Sequence, residues 1–341
     1  MRRLLLPLSH LYGAGVRLRL ALYRRGLLTV TSASRPVVSV GNVAAGGTGK
    51  TPFVRWLAGE LLRRGRHPSI LTRGYGRTSH GTVVVSDGRG TVATVAESGD
   101  EPALLARALP SVPIVADARR AVAAARAETL EAPVDLHLLD DGFSHVALSR
   151  QVDIVLLDAT APDAGGALLP AGLLREPLTA LARADLLVVT KTEQADPAPA
   201  LELARRYAPG VPVFRARTEL LGIRDREGRS VDPRDLPPGT TVAVAGIARP
   251  GSFRATLEAA GVDPAEFLAF RDHEPYGPAA AGRIERALEE TGATAILTTE
   301  KDAVKLDTVL RAPVFRVAVE ARVVEPSFVS EVLSLLGRKP S

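Results

Sequence analysis

The chain reads Val37-Val-Ser-Val-Gly-Asn-Val-Ala-Ala-Gly-Gly-Thr-Gly-Lys-Thr51 at the point that decides its fold. Residues 37–40 form a short apolar run typical of a buried strand, and a helical pattern begins at Pro52. Residues 44–51 keep the spacing of a P-loop, with Ala44 in place of the first glycine. A strand, a glycine-rich loop and a helix in this order predict a site for a nucleoside triphosphate.

The residue types of this loop suit a triphosphate. Gly46, Gly47 and Gly49 allow the backbone to turn its N–H groups towards phosphate oxygens. Lys50 supplies a compact positive charge, and the Thr51 hydroxyl is the expected ligand of Mg²⁺. The predicted nucleotide-binding residues are Ala44, Ala45, Gly46, Gly47, Thr48, Gly49, Lys50 and Thr51.

Composition limits the class of protein and its partners. A length of 341 residues suits about two domains with a large core. The absence of cysteine excludes disulfides, thiolate metal sites and a cysteine nucleophile. A net charge of +5 favours anionic partners, but one Trp, five Tyr and eight Phe offer no stacking platform. We therefore expect no nucleic-acid partner, and no obligate protein partner is evident.

Residues 1–30 predict a basic amphipathic helix. One face carries apolar side chains at steps of three and four, namely Leu8, Leu11, Tyr12, Val16, Leu20, Tyr23 and Leu27. The longest uncharged run, residues 4–16, is shorter than the roughly 20 residues that span a bilayer. The helix either lies on an anionic membrane surface or packs on the protein's own core. A cleaved signal peptide is disfavoured, because it would carry an ATP site out of the cytoplasm.

Strands alternate with helices after the loop, which predicts an α/β protein with a parallel sheet flanked by helices. The predicted strands are 69–72, 114–115, 136–139, 153–157, 186–189, 241–245, 295–298 and 314–317, and helices are expected at 52–64, 101–109 and 118–130. Consecutive turns at 222–240 indicate a domain boundary. We expect an N-terminal helix at 1–30, a P-loop core at 31–222 and a smaller α/β lobe at 223–341.

Two carboxylates, Asp140 and Asp141, end an apolar strand, where a P-loop enzyme needs an acidic group for Mg²⁺. Adjacent acids at a strand end also serve as turn formers or helix caps. Asp100 opens a helix, either as its N-cap or as a base beside the γ-phosphate. His273 lies in a polar loop and is solvated or catalytic, whereas His145 follows Asp141 closely enough to lie near the metal.

Two further loops are candidate substrate contacts. Arg73 and Tyr75 follow a strand at the edge where open α/β sheets bind ligands. Arg175 and Glu176 belong to a Pro- and Gly-containing loop. A solvated turn is the alternative for the first loop. Residues 190–193, Thr-Lys-Thr-Glu, resemble the base-reading turns of other P-loop proteins.

Together, these motifs resemble the tetraacyldisaccharide 4′-kinase family, the lipid A precursor kinases of Gram-negative bacteria. The resemblance extends over most of the chain, and the order and spacing of its motifs are specific. The matching segments are residues 37–51, 71–76, 99–102, 140–145, 169–172, 174–177, 270–273 and 299–302.

The resemblance implies ATP-dependent phosphorylation of the 4′-hydroxyl of an acylated glucosamine disaccharide 1-phosphate. It implies a two-lobed enzyme on the cytoplasmic face of the inner membrane, with the N-terminal helix docked there. It makes Asp100 the general base, assisted by His273 from the smaller lobe, and places Asp140 and Asp141 at the metal. Lobe closure would then exclude water from the reaction.

One departure from the family is Ser144, which stands where glutamine is usual, just before His145. Any contact made by that glutamine must be shorter or water-mediated here. Two other classes fit parts of the sequence. A membrane-associated regulatory ATPase would release phosphate to water, and a kinase or synthetase for a soluble metabolite would use the N-terminal helix as ordinary core.

Overall fold

The computed structural model describes residues 2–236 and 239–337. Pro237 and Pro238, which belong to the predicted boundary turns, lie outside the described residues. Residues 338–341, assigned by the sequence to the smaller lobe, also lie outside them.

The chain divides into two compact units. The first unit runs to Thr218 and resumes at Ala321, and the second is Glu219–Glu320. The predicted boundary at residue 222 therefore lies close to the point where the chain first passes from the first unit into the second. The end of the chain differs from the expectation, because residues from 321 onwards pack with the first unit instead of the smaller lobe.

A parallel sheet forms the centre of the first unit. Its strand order is β8-β7-β6-β1-β5-β2-β4-β3, and β3 alone among these strands is antiparallel to its neighbour. The strands are β1 (Val37–Gly41), β2 (Pro68–Thr72), β3 (Val83–Asp87), β4 (Pro113–Ala116), β5 (Leu136–Asp140), β6 (Val152–Asp158), β7 (Leu186–Thr190) and the start of β8 (Val213–Arg224). The helices are α1 (Arg2–Arg24), α2 (Lys50–Arg63), α3 (Val95–Ser98), α4 (Asp100–Ala108), α5 (Arg120–Ala127), α6 (Ala198–Tyr207) and α10 (Phe328–Gly337).

The central strands are buried on both faces, which explains their largely apolar sequences. In the register of the sheet, Val38 lies opposite Leu138 on one side and Val152 on the other. Because β1 and β5 are parallel, Gly41 and Asp140 end at the same edge of the sheet. That edge receives the phosphate loop and the carboxylate pair.

The second unit is a smaller α/β unit with strand order β11-β10-β12-β13, all parallel. Its elements are β9 (Ser230–Val231), β10 (Thr241–Ala245), α7 (Pro250–Ala259), β11 (Glu266–Ala269), α8 (Pro278–Thr291), β12 (Ala295–Thr299), α9 (Glu300–Val309) and most of β13 (Val314–Val323). The predicted fold class, a parallel sheet flanked by helices with a second α/β lobe, is confirmed.

Aromatic packing explains why the last helix joins the first unit. The Phe328 ring of α10 lies 5.8 Å from the Phe53 ring and 5.8 Å from the Trp56 ring, centroid to centroid. Phe53 and Trp56 belong to α2, directly behind the phosphate loop, and Phe328 is fully buried. Burial of large rings dominates core energetics, so this contact fixes α10 on α2.

Helix α1 has one face on the protein and one in solvent. The buried side carries Ser9, whose hydroxyl donates to the Leu168 carbonyl at 2.9 Å, and Gly13, where a Cβ would meet a Leu168 methyl at 2.6 Å. The other side exposes Leu4 and Leu11 at 81% and 70% of their surface. Within the described residues, no helix combines the length and apolarity needed to cross a membrane.

Candidate active site

The phosphate loop joins β1 to α2 and takes its shape from two glycines in the left-handed region. Gly46 has φ 105° and Gly49 has φ 82°, values that side chains with a Cβ rarely adopt. Gly49 is the residue that precedes α2, and Lys50 and Thr51 are the first two residues of that helix. The helix N-terminus therefore faces the loop, as an anion-binding site requires.

Lys50 is held between an amide and a carboxylate. Its Nζ donates to Asn42 Oδ1 at 3.3 Å and lies 3.6 Å from Asp141 Oδ1. The Asn42 amide group in turn donates to the Thr48 hydroxyl at 2.9 Å. Asn42 was not predicted from the sequence, although it lies between the strand and the loop. It orients the lysine and the loop together.

Asp141 is paired with two cations. Arg175 donates to Asp141 Oδ2 at 2.7 Å, opposite the oxygen that faces Lys50. Burial by itself would raise the pKa of Asp141, but Lys50 and Arg175 outweigh it and lower this pKa. Asp141 also has a left-handed backbone, with φ 51°. Arg175, a candidate substrate contact, thus joins the carboxylate pair in the structure.

The pKa of Asp140 is shifted in the direction opposite to that of Asp141. Burial and the nearby charges of Glu101 and Asp141 together raise its pKa to about 7, against the opposing effect of Lys50. The Thr72 hydroxyl donates to Asp140 Oδ2 at 3.3 Å. The site therefore contains a buried carboxylate whose negative charge is poorly compensated.

This charge imbalance fits a divalent cation. Mg²⁺ is commonly held by one or two carboxylates together with substrate phosphates and water. Asp140, Asp141 and the Thr51 hydroxyl are the residues that would hold it beside the phosphate loop. Across residues 2–236 and 239–337, no group of three or more His, Cys, Asp or Glu side chains could form an all-protein cage.

Replacement of Asp140 by asparagine should change the pH dependence of stability. The folded protein holds the Asp140 proton up to about pH 7, whereas the unfolded chain releases it near the reference pKa of 3.8. The contribution of Asp140 to the free energy of unfolding is thus fully present below the unfolded pKa and is lost as pH rises through 7. We expect Asp140→Asn to raise Tm over wild type by ~3 °C more at pH 8 than at pH 5.

The measurement is thermal unfolding of both proteins at the two pH values without nucleotide or Mg²⁺. Glu97→Gln, which alters an exposed helix cap, is the matched carboxyl-to-amide control and should show a much smaller difference between pH 8 and pH 5. Equal Tm shifts of Asp140→Asn at both pH values would contradict the raised pKa.

His145 lies among arginines. Burial and the charges of Arg120, Arg150, Arg19 and Arg73 together lower its pKa to about 4. The imidazole is therefore neutral at pH 7 in a strongly positive field. Such a field suits an anionic group with several oxygens, such as a phosphate.

Arg120 is the least exposed member of this cluster, with 4% of its surface accessible. It donates to the carbonyls of Asp117 and Ala118, and its Nε has no hydrogen-bond partner. Burial lowers its pKa, whereas the charge of Asp140 raises it. The sequence analysis missed Arg120, and its place four residues after the end of β4 carried no distinguishing signal among so many arginines.

Glu176 is buried beneath the candidate site. Its two oxygens accept from the Ser144 hydroxyl at 2.6 Å and from Arg183 at 2.7 Å. The Arg183 guanidinium also stacks on Phe143, 4.3 Å from the ring centroid. With 1% of its surface exposed, Glu176 is better placed to support the loop than to touch a substrate. Ser144, which the sequence analysis singled out, thus contacts Glu176 directly.

Asp100 is the first residue of α4, and Gly99 occupies the N-cap position with φ 91°. The alternative role of Asp100 as the N-cap therefore does not match the observed helix start. A Cβ at Gly99 would lie 2.6 Å from the Tyr75 carbonyl oxygen, so the loop that carries Arg73 and Tyr75 packs against the start of α4. The structure brings these three predicted residues into one neighbourhood.

His273 belongs to the second unit, with a left-handed backbone at φ 59°. Lys301 Nζ lies 3.3 Å from His273 Nε2 and donates to Asp272 Oδ1 at 2.9 Å. The backbone N–H of His273 donates to the Gly246 carbonyl at 3.2 Å. These contacts hold the imidazole in a defined orientation at the ends of the strands of its own unit.

A family of known proteins matches this chain over most of its length. The family model described as tetraacyldisaccharide-1-P 4′-kinase matches residues 1–337. The tetraacyldisaccharide 4′-kinase of Geobacter metallireducens is 44% identical over 309 residues, which cover 90% of this chain and 89% of that protein. The enzyme of the same name from Anaeromyxobacter dehalogenans strain 2CP-1 is 45% identical, and the match covers 88% of this chain and 80% of that protein.

A solved structure is also similar over the whole chain. LpxK from Aquifex aeolicus, crystallised in complex with ATP, has a TM-score of 0.78 and 34% sequence identity. The match covers 98% of this chain and 99% of that one. The resemblance inferred from the sequence is thereby confirmed: this chain belongs to the tetraacyldisaccharide-1-P 4′-kinase family.

Proposed function

We propose that the chain transfers the γ-phosphate of ATP to the 4′-hydroxyl of a tetraacylated glucosamine disaccharide 1-phosphate. The observation that carries the proposal is the gathering of three elements at one edge of the first unit's sheet. The phosphate loop, the Asp140–Asp141 pair and the start of α4 meet there, since Glu101 of α4 acts on the Asp140 carboxyl. These are the parts that phosphoryl transfer to an alcohol requires.

Each residue then has a defined task. The loop backbone and Lys50 bind the β- and γ-phosphates, and Asp100 accepts the proton of the attacking sugar hydroxyl. Mg²⁺, when bound, neutralises charge on the transferring phosphoryl group. His273, oriented by Lys301, assists as the second catalytic residue. Tyr75, with 66% of its surface exposed, is available to the acceptor.

The arginine cluster around His145 is the proposed subsite for the acceptor's own phosphate. Arg73, Arg120 and Arg19 supply positive charge there, and the neutral imidazole of His145 can donate one hydrogen bond. Helix α1 contributes Arg19, whose guanidinium also donates to the Ser144 carbonyl at 3.1 Å. An acceptor phosphate bound here would orient a disaccharide close to α1 and to the carboxylate pair.

The test is direct labelling of the acceptor. The protein is incubated with [γ-³²P]ATP, Mg²⁺ and an acylated disaccharide 1-phosphate in detergent, and the lipid fraction is analysed for label. We expect label on the lipid that depends on the acceptor. Release of inorganic phosphate at the same rate with and without acceptor would favour the regulatory ATPase instead. In a parallel reaction, labelling of a soluble sugar with none on the lipid would overturn the lipid assignment.

We also propose that the chain works as a peripheral protein on the cytoplasmic face of the inner membrane, docked on anionic lipid through α1. Helix α1 lies next to the 168–175 loop, because Ser9 binds Leu168 and the Tyr12 hydroxyl donates to the Arg175 carbonyl at 3.1 Å. Leu173 of that loop is exposed as well, at 47%. An apolar surface with basic residues nearby is typical of an interfacial helix.

Aspartate at two exposed positions of α1 should release the protein from membranes. Burying a leucine is worth about 1.5–3 kcal/mol, so Leu4→Asp/Leu11→Asp should weaken binding by at least about tenfold. The measurement is sedimentation with vesicles of phosphatidylethanolamine and phosphatidylglycerol. Leu221→Asp, at a leucine of β8 that is 50% exposed, is the control and should bind as wild type does. Retained vesicle binding in the double variant would contradict the proposed docking face.

A further inference from the structure

The end of β7 touches the phosphate loop from outside the motif. Lys191 Nζ donates to the Gly47 carbonyl at 2.7 Å and to Asp158 Oδ2 at 2.8 Å. The neighbouring Thr190 hydroxyl donates to the Thr48 carbonyl at 3.0 Å. Two consecutive carbonyls of the phosphate loop are therefore held by two consecutive side chains that lie about 140 residues further along the chain.

We propose that Lys191, with Asp158 as its counter-ion, is a positioning residue that sets the phosphate loop for ATP. The inference rests on the proposed ATP-dependent activity and extends it to a lysine outside the P-loop motif. Lys191 acts through the backbone of Gly47 and is not itself required to touch the phosphates.

Peptide geometry explains how such a contact orients the loop. In a trans peptide, the carbonyl of one residue and the N–H of the next point in opposite directions. When Thr190 holds the Thr48 carbonyl, the Gly49 N–H points away from Thr190. A carbonyl that is tied back also cannot turn into the cradle, where its negative end would repel a phosphate.

The Lys191–Asp158 ion pair is unfavourable to bury, and a contribution to folding stability does not by itself explain its presence. The side chains of Lys191 and Asp158 are 8% and 2% exposed, and burying two charges is often no better for stability than apolar packing. Lys191 also has a left-handed backbone, with φ 58°, which is unfavourable for a side chain of this size. Strain of this kind persists where the surrounding structure requires it, and it clusters at ligand sites.

Asp158 is itself held in place by further hydrogen bonds. Its other oxygen, Oδ1, accepts from the backbone N–H of Thr160 at 2.9 Å and from the Thr160 hydroxyl at 2.6 Å. The carboxylate is therefore fixed at the end of β6, next to β7 in the sheet. Because this anion is fixed, it holds the long Lys191 side chain in a single orientation, whereas a surface lysine would be flexible.

The decisive variant is Lys191→Met, which keeps the aliphatic length and removes the donor. We expect the Kd for Mg·ATP to rise by about tenfold to a hundredfold, the effect typical of losing a charged hydrogen bond. Binding is measured by calorimetry with a non-hydrolysable ATP analogue and no acceptor. A wild-type protein that binds the analogue but labels no lipid would refute the proposed kinase activity and leave this inference standing.

A second variant separates positioning from stability. Lys191→Met leaves Asp158 buried without its counter-ion, so Tm should fall. Lys191→Met/Asp158→Asn removes both charges, and we expect it to recover most of the lost Tm while Kd stays at least about tenfold weaker. If Lys191→Met does not fold, the Kd of the double variant tests the proposal in its place. Recovery of nucleotide affinity together with Tm would overturn the proposal.

The control is a more exposed ion pair at the opposite edge of the same sheet, with both side chains 34% exposed. Arg66 Nε donates to Asp135 Oδ2 at 2.6 Å, just before the starts of β2 and β5. Arg66→Met should lower Tm slightly and leave Kd for the analogue unchanged. A Kd for Lys191→Met within about twofold of this control would also refute the inference.

Discussion

Replacement of Asp100 by asparagine should lower kcat by about 10²–10⁴-fold, the usual contribution of a general base. The carboxylate sits at the first position of α4 and does not cap that helix, because Gly99 occupies the N-cap position. The amide has nearly the same shape but cannot accept the hydroxyl proton at neutral pH. The affinity for Mg·ATP should therefore change by no more than a few fold. Steady-state kinetics with acceptor and calorimetry without it measure the two quantities separately.

Thr94→Ala provides the structural control for Asp100. Thr94 caps the short helix α3 that precedes α4, and its capping box with Glu97 is complete. Loss of this cap should cost about 1 kcal/mol of stability without removing the base. We expect Thr94→Ala to lower Tm and retain most of kcat. Parallel losses of kcat and ATP affinity in Asp100→Asn would assign Asp100 a structural role instead.

Lys50→Met should reduce kcat/KM by about 10³-fold. The lysine lies at the N-terminus of α2, with its Nζ close to both Asn42 and Asp141. Removal of a donor aimed at the charge that develops during transfer typically costs 10²–10³-fold in kcat, and ground-state binding of ATP weakens in addition. The same change removes the main charge that lowers the pKa of Asp141, so its carboxyl should titrate at higher pH.

Kinetics at saturating acceptor and varied ATP measure the Lys50 effect, and Lys50→Arg is its companion. A guanidinium keeps the charge but spreads it over a wide fork, so we expect Lys50→Arg to recover little of the activity. Recovery to within about tenfold of wild type in Lys50→Arg would show that this site needs only positive charge and not a compact cation.

The local sequence correctly predicted those strands whose apolar pattern and bounding turns both indicate a strand. Thr241–Ala245 was predicted as a strand with the same bounds that the structure has. The strand at 136–139 extends by one residue, to Asp140, which itself lies in the sheet. β-Branched and leucine-rich runs bounded by turns carry this information because both faces of a central strand are buried.

Elements with mixed polarity were missed. Val213–Arg224 alternates buried Phe214 and Ala216 with exposed Arg215 and Arg217, a half-buried pattern that the sequence analysis passed over. The edge strand Val83–Asp87 was missed too, although its valines lie between turn residues. Pattern could have found both strands. The docking of α10 on Phe53 had no local signal, because it depends on a contact across 275 residues.

The sequence by itself determined the chemistry of this protein, since the phosphate loop, the acidic pair and the ordered motifs are all local arrangements of residue types. Their roles at the site stay predictions that the proposed experiments test. Only the tertiary structure decided which cations surround them. The buried Arg120, at the start of α5, acts on Asp140 at the end of β5. Lys191, just after β7, bonds to Gly47 of the phosphate loop. Long-range pairing and burial set these charges and distances, and neither is encoded in the spacing of neighbouring residues.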